Sequence, residues 1–322
     1  MTKKLNFTLL FLLLTISLVS SLYRLGDFAH LMAEGVPIDM RWQVLIDIRL
    51  PRLLLAMLAG ACLALAGNAM QGIFQNPLAS PGLLGSSAGA TTASVFVLYY
   101  FSAPIGWLLF SGVGGALSAF LLVWLIARYQ GTTMMILAGV VINVLLGATI
   151  TLLLSNAESP WALAELYRWL QGSLIWARMD NLAMATPIIL LGGICLFSQR
   201  RYLDLLTFGE ETAATMGIHL KRSFFIVSIG VALLLGATIP QTGTIGFIGL
   251  IAPHLARMLL HKPPSQLYIT SALFGALLLL IADLSVQYLA LFNRIYIGTL
   301  TAILGAPFLL WILLTERKQL AQ

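Results

Sequence analysis

The sequence predicts an all-α polytopic membrane protein with about ten transmembrane helices. Hydrophobic residues make up 59% of its 322 residues, and the mean hydropathy is +0.94, far outside the range of soluble globular chains. The apolar runs are long and continuous instead of alternating, and only helices or closed barrels satisfy their own backbone inside lipid, so the runs read as helices. Charged residues are only 9% of the chain, and a good share of them falls in one short polar stretch. The two cysteines, Cys62 and Cys195, lie within apolar runs and read as packing residues, neither a disulfide framework nor a metal cluster. A net charge of +6 is what lysine and arginine in the loops of a membrane protein produce, without a nucleic-acid partner.

The first run, from Met1 to Tyr23, has the basic start and apolar stretch of a signal peptide. It is also long enough to span, and it is expected to remain as the first helix. Residues 24 to 50 are of mixed charge and are expected outside the membrane. The second span begins at IRLPR, which places Arg49 and Arg52 three residues apart at its entrance, and it carries Gly60, Ala64 and Gly67 at spacings that admit a close helix. A Pro/Gly/Ser-rich break at Asn76 to Pro81 leads into a third helix that opens with glycines and serines. Spans four and five are expected at Ile105 to Ala127 and Met134 to Ser155. The fifth carries Asn143, which either bonds a neighbouring helix or lines a solute path.

Residues 156 to 181 are too interrupted to span and read as a short interfacial helix with tryptophans at headgroup depth. Span six is expected at Leu182 to Phe197, and span seven at Phe224 to Ile239. The segment from Pro240 to Leu260 reads as a broken helix that restarts near Pro253, and Ile269 to Leu291 and Ile297 to Leu314 complete the set.

Between spans six and seven lies the polar island, Gln199 to Arg222. It holds Asp204, Glu210 and Glu211, four basic residues and one histidine. It reads as two short amphipathic helices broken at Gly209, with Glu210 and Glu211 opening the second, where a helix N-terminus favours negative charge. Tyr202, Leu203, Leu205, Leu206 and Phe208 supply its apolar contacts. Such a pair is shaped to lie against something at the membrane surface; a solvated loop is the plainer alternative. With both termini on the cytoplasmic side, eleven of the 18 lysines and arginines fall inside and seven outside, which places the island in the cytoplasm.

From Ile48 to Ala90 (IRLPRLLLAMLAGACLALAGNAMQGIFQNPLASPGLLGSSAGA), and again at LAGVVIN, WLQGSL, GTIGFIGLIAPHLAR and GTLTAILGAPFLLWIL, the chain resembles the FecCD/BtuC family of bacterial ABC importer permeases. The likeness covers nearly the whole chain in order. It implies a type II importer permease: a single transmembrane domain over residues 1–322, multi-pass in the bacterial inner membrane. Such a subunit pairs with an identical or sister permease, two cytoplasmic ABC ATPases and a periplasmic solute-binding protein.

On this likeness, residues 203–218 are the coupling helices, with Leu203, Asp204, Leu205, Leu206, Phe208, Gly209, Glu210, Glu211, Ala214, Met216 and Gly217 meeting the ATPase. Arg49 and Arg52 are headgroup anchors on chemistry alone and binding-protein docking residues on the likeness, and Arg294 is placed with them. The family's acidic-Leu-Pro-Ile-Gly run before the last helix is here RIYIG, and Gln287 stands where the B12-importing relative has a docking arginine. Gly85, Ser86, Ser87, Met134, Leu137 and Asn143 are assigned to the translocation path.

No cofactor is expected in the chain. None of its five lysines follows a glycine, so it has no P-loop, and ATP and magnesium belong to the partner ATPase. The family's most frequent cargo, a ferric siderophore, is the expected solute, with haem or cobalamin as alternatives. A proton-coupled carrier would rest on Asp283, the single acid inside an expected span; the alternative is an acid capped or paired inside the bundle. His254 is either a ligand for haem or iron or a histidine bonded to backbone. A membrane enzyme would need paired acids, an HExxH helix or a Gly-x-Ser-x-Gly elbow within the bilayer, and none is expected here.

Overall fold

The computed structural model describes residues 2–22, 43–101, 105–289 and 295–320. Its helices are α1 (Thr2–Leu22), α2 (Leu50–Phe74), α3 (Ser86–Phe101), α4 (Ile105–Ala127), α5 (Thr132–Ser155), α6 (Pro160–Leu170), α7 (Met179–Ser198), α8 (Arg200–Leu206), α9 (Glu210–Thr215), α10 (Leu220–Thr242), α11 (Ile248–Leu260), α12 (Pro264–Leu289) and α13 (Ile297–Leu320). A π-helical turn, Val44–Arg49, leads into α2. Six segments among the described residues are long and apolar enough to cross a membrane by themselves. The shorter or less apolar α1, α3, α11 and α13 bring the bundle to about ten crossings. Arg294 lies outside the described residues, as do Arg24 and Arg41.

Small residues decide which helices pack most closely. A Cβ on Gly60 would stand 2.2 Å from the Gly275 carbonyl oxygen, and one on Gly275 would stand 2.5 Å from Ala64 Cβ, so α2 and α12 meet backbone to backbone. Two turns beyond Gly60, Gly67 faces the Gly249 carbonyl of α11. The spacing of the second span's small residues predicted one close helix, and the stripe meets two. Replacing Gly60 by leucine forces two backbones apart, and overpacking of this kind costs about 3 kcal/mol or more. The expected outcome is loss of a monodisperse peak in detergent, whereas Gly114→Leu, where no atom lies within 4 Å of the added Cβ, leaves the elution profile unchanged.

Protein groups hold the broken segment. α10 ends at Gly243 (φ 67°). Ser173 N–H donates to the Thr242 carbonyl at 2.8 Å, Gly298 N–H donates to the Gln171 carbonyl at 3.0 Å, and the Thr244 hydroxyl donates to the Leu170 carbonyl. The WLQGSL loop after α6 therefore satisfies the backbone that the break sets free. The helix restarts at Ile248, five residues before the expected Pro253, because the Phe247 carbonyl accepts from both Leu250 and Ile251 at 2.9 Å. Pro253 only deprives Gly249 of one acceptor partnership within α11. Phe247 itself holds φ 67°, a strained value for an aromatic residue, with its ring against Gly305 of α13.

α6 is the expected interfacial helix. Ser159 caps it by accepting from Ala162 N–H at 3.2 Å, Pro160 follows the cap, and Trp161 and Trp176 are exposed. Chain direction and cross-contacts place the island, the 128–131 turn and the start of α1 at one end of the bundle: Thr132 reaches Glu210, Ser265 reaches Asp204, and Asn6 accepts from Thr270. The end of α12, the start of α2 and α6 lie at the other.

Candidate functional site

The island folds as two short helices, as expected. Gly209, with φ 96°, separates them and supplies the N-cap of α9, a backbone position that glycine adopts without strain. Glu210 and Glu211 occupy the first turn of α9. Tyr202, Leu203, Leu206 and Ala213 are buried and fasten the pair to the bundle, with Leu203 packing against Gly72 at the end of α2. Burial, with the Glu210 carboxylate nearby, pushes the Tyr202 phenol up, so it stays neutral. Phe208 turns the other way and is 70% exposed; Met216 is 49% exposed. Gly209, Glu210, Glu211, Ala214 and Gly217 share that outer surface, and Leu205 is half-buried.

Asp204 has a different task from its neighbours. Its carboxylate accepts from the backbone N–H of Ser265, at 3.0 Å, and from the Ser265 hydroxyl. It neutralises the opening turn of α12 and ties α8 to it. Glu210 makes the second tie, accepting from the Thr132 hydroxyl at 2.9 Å. The two island helices are therefore each fastened to a different long helix, α12 and α5.

Beside α8 the structure shows a cavity of about 560 Å³ that the sequence did not announce. Its floor is polar: Gln71 donates to the Leu250 carbonyl at 3.2 Å and accepts from Arg257 at 3.0 Å, while Phe208 and Lys262 stand at its rim. Gln71 and Gln75, four residues apart near the end of an apolar span, line it and were the signal that could have pointed to it.

At the opposite end the two arginines of IRLPR part company. Arg52 forms a bidentate pair with Asp283: Nε lies 3.1 and 3.0 Å from the two carboxylate oxygens, and Nη2 lies 2.8 Å from Oδ1. The Asp283 side chain is 2% exposed and that of Arg52 23%. Gln287 donates to the same carboxylate at 2.7 Å. Asp283 is thus paired inside the bundle, the second of the two readings open to it. Arg52 spends its planar fork on Asp283, and Gln287 is turned to it as well. Arg49, the last residue of the π turn, is half-buried.

The residues assigned to the path are split by the structure. Met134 and Leu137 lie on a broad open face of α5, continued by Val141, Val144 and Leu145. Asn143 donates to the Gly82 carbonyl at 3.1 Å, which fixes the turn before α3 against α5. Gly85, with φ +81°, packs on Ile142, Ser86 is buried and Ser87 half-buried. Residues 85–89 spell Gly-Ser-Ser-Ala-Gly, the letters of a nucleophile elbow, but a helical turn precedes them where an elbow needs a strand. His254 is buried and meets the Phe308 ring edge-on, centroids 6.2 Å apart. No group of three metal-ligating side chains occurs among the described residues.

Comparison with known proteins gives this arrangement its context. Residues 7–315 match the FecCD transport family. The hemin transport system permease protein of Yersinia pestis is 37% identical over 288 residues, covering 87% of this chain and 86% of that one. The vitamin B12 import system permease of Vibrio cholerae is 36% identical, covering 85% and 84%. The Fe(3+) dicitrate transport system permease of Escherichia coli is also 36% identical, covering 86% of each. A structure solved as an inward-facing conformation of a metal-chelate type ABC transporter superposes with a TM-score of 0.86 at 29% identity, over 98% of this chain and 99% of that one. The chain belongs to the FecCD transport family and is a membrane permease subunit of an ABC importer, with nucleotide bound by a separate ATPase.

Proposed function

We propose that this permease passes a ferric siderophore or similar iron chelate from a periplasmic binding protein to the cytoplasm of a bacterial cell. In this reading residues 1–322 form one transmembrane domain in the inner membrane, with both termini and the coupling helices, residues 203–218, on the cytoplasmic side. The observation that carries the coupling role is the exposure of Phe208 and Met216 at the tip of α8 and α9, apolar side chains standing on an otherwise polar turn at one end of the bundle. An ATPase groove is the surface they fit.

Closure of the ATPases then pushes a unit fastened at two points. Through Glu210 and Thr132 the push reaches α5, whose open face carries Met134 and Leu137; through Asp204 and Ser265 it reaches α12. Two permease copies placed with these α5 faces opposed enclose a path between them, large enough for a chelate and without a charged site. Arg49 remains the candidate for meeting an acidic residue of the binding protein, and Arg294 stands beside it as a sequence-based candidate.

The Glu210–Thr132 bond is exposed, so Glu210→Ala is expected to change stability by less than about 0.5 kcal/mol. Uptake should nonetheless fall severalfold. Thermal unfolding and initial uptake rate, measured on the same preparation, separate the two effects; equal loss in both would assign Glu210 a merely structural role.

Support for an iron chelate comes from the dicitrate and hydroxamate permeases among the relatives. Haem is the second reading, favoured by the 37% identity to the hemin permease. Cells lacking their own permeases of this type, supplied with this chain and its cognate ATPase and binding protein, are offered labelled ferric siderophore, haem and cobalamin. Accumulation of the siderophore alone supports the proposal, and accumulation of haem or cobalamin instead replaces it.

A further inference from the structure

We propose that a cationic and aromatic cluster, formed where α4 ends and α10 begins, binds the phosphate headgroup of an anionic phospholipid. Arg128, one residue past α4, holds its guanidinium carbon 4.9 Å from the Trp124 ring centroid and 4.7 Å from that of Tyr129. Lys221, in the first turn of α10, places Nζ 4.9 Å from the same Tyr129 ring. Two cations therefore share one aromatic ring, an arrangement with a cost in mutual repulsion that an anion between them removes.

Hydrogen bonding leaves room for that anion. The Arg128 Nε is buried with no hydrogen-bond partner, and among the described residues neither Arg128 nor Lys221 forms an ion pair. Glu210, which meets the chain just beyond Arg128, accepts from the Thr132 hydroxyl. Adjoining the cluster is an open cavity of about 570 Å³ lined by Ala214, Ile218, His219, Leu220, Lys221 and Arg222. The α10 turn that borders it contains no acidic residue, and the His219 side chain does not cap it. Its free N–H groups and positive dipole end add to the field of Lys221 and Arg222.

A lipid, as opposed to a soluble phosphate, is indicated by what leads to the cluster. Leu121, Leu122, Leu125 and Ile126 are all exposed and lie on one face of α4. Tyr129, four residues beyond Leu125 and itself exposed, continues the same stripe to the cations. An acyl chain laid along this face delivers its phosphate between Arg128 and Lys221. A basic pocket at the end of membrane helices is a recurrent headgroup site.

The test is native mass spectrometry of the full-length chain in detergent, titrated with phosphatidylglycerol and, separately, phosphatidylcholine. Wild type is expected to retain one phosphatidylglycerol per chain more than phosphatidylcholine. Lys221→Gln, at an exposed residue that the fold does not need, and the double change with Arg128→Gln are expected to weaken that retention about tenfold, while Arg178→Gln at the other end of the bundle leaves it unchanged. Equal retention of the two lipids, or full retention by Lys221→Gln, overturns the proposal. Soluble glycerol phosphate supplies the remaining arm: failure to displace the lipid at millimolar concentration supports a lipid site, and displacement at that concentration shows a plain phosphate site and overturns it.

Discussion

Removing either partner of the Arg52–Asp283 pair is expected to be the most damaging single change in this protein. The carboxylate is almost wholly buried and accepts hydrogen bonds from Arg52 and Gln287. Arg52→Ala leaves it uncompensated except for one amide, and breaking a buried pair in this way costs about 3–5 kcal/mol. Arg52 is about a quarter exposed, which draws the expectation to the lower end of that range. Asp283→Ala leaves the guanidinium a path to solvent and is expected to cost less than Arg52→Ala. The double change to Arg52→Met and Asp283→Leu removes both charges and is expected to recover most of the loss. Unfolding midpoints of the four proteins in one detergent check this; a double variant no better than Arg52→Ala would show that geometry, not charge compensation, makes the pair matter. Because both carboxylate oxygens are bonded to Arg52, the same pair argues against Asp283 as a proton carrier.

The second large effect is expected at the island tip. Phe208→Ser combined with Met216→Ser removes two exposed apolar side chains that the isolated permease does not need. Its unfolding midpoint should therefore move by no more than a degree or two. Association with the ATPase should weaken by tenfold or more, since exposed aromatic anchors carry a large share of interface energy, and uptake should fall in proportion. Co-purification of the ATPase with the double variant at wild-type yield would remove Phe208 and Met216 from the interface.

Much of the architecture was legible because it is local. Span positions follow from runs of apolar residues, and the ends expected for span four are those observed, Ile105–Ala127. The break at Gly209 followed from glycine between two amphipathic stretches, and the close packing of α2 from Gly60, Ala64 and Gly67. What could not be read was which residues these would meet. Gly275 and Gly249 lie about two hundred residues away in the chain, and Arg52 and Asp283 are 231 apart. Two arginines at one span entrance and a lone acid within another span hinted at a pair, because ionisable groups in membranes rarely stand alone.

The local sequence hid the partner of Asp204 for a related reason. The likeness assigned it to the set that meets the ATPase, and its bond to the orphan N–H of Ser265, sixty-one residues on, ties it to the start of α12. Phe247 escaped notice because proline is the stronger punctuation mark. The actual restart depends on an aromatic residue held at positive φ by packing on a glycine of the last helix.

The most direct test of the coupled-permease account is uptake of the identified cargo in two backgrounds: one with the P-loop lysine of the partner ATPase changed to alanine, the other with the proton gradient collapsed while ATP is maintained. The account predicts that uptake vanishes in the first and persists in the second. Uptake that survived the ATPase change and vanished with the gradient would contradict it.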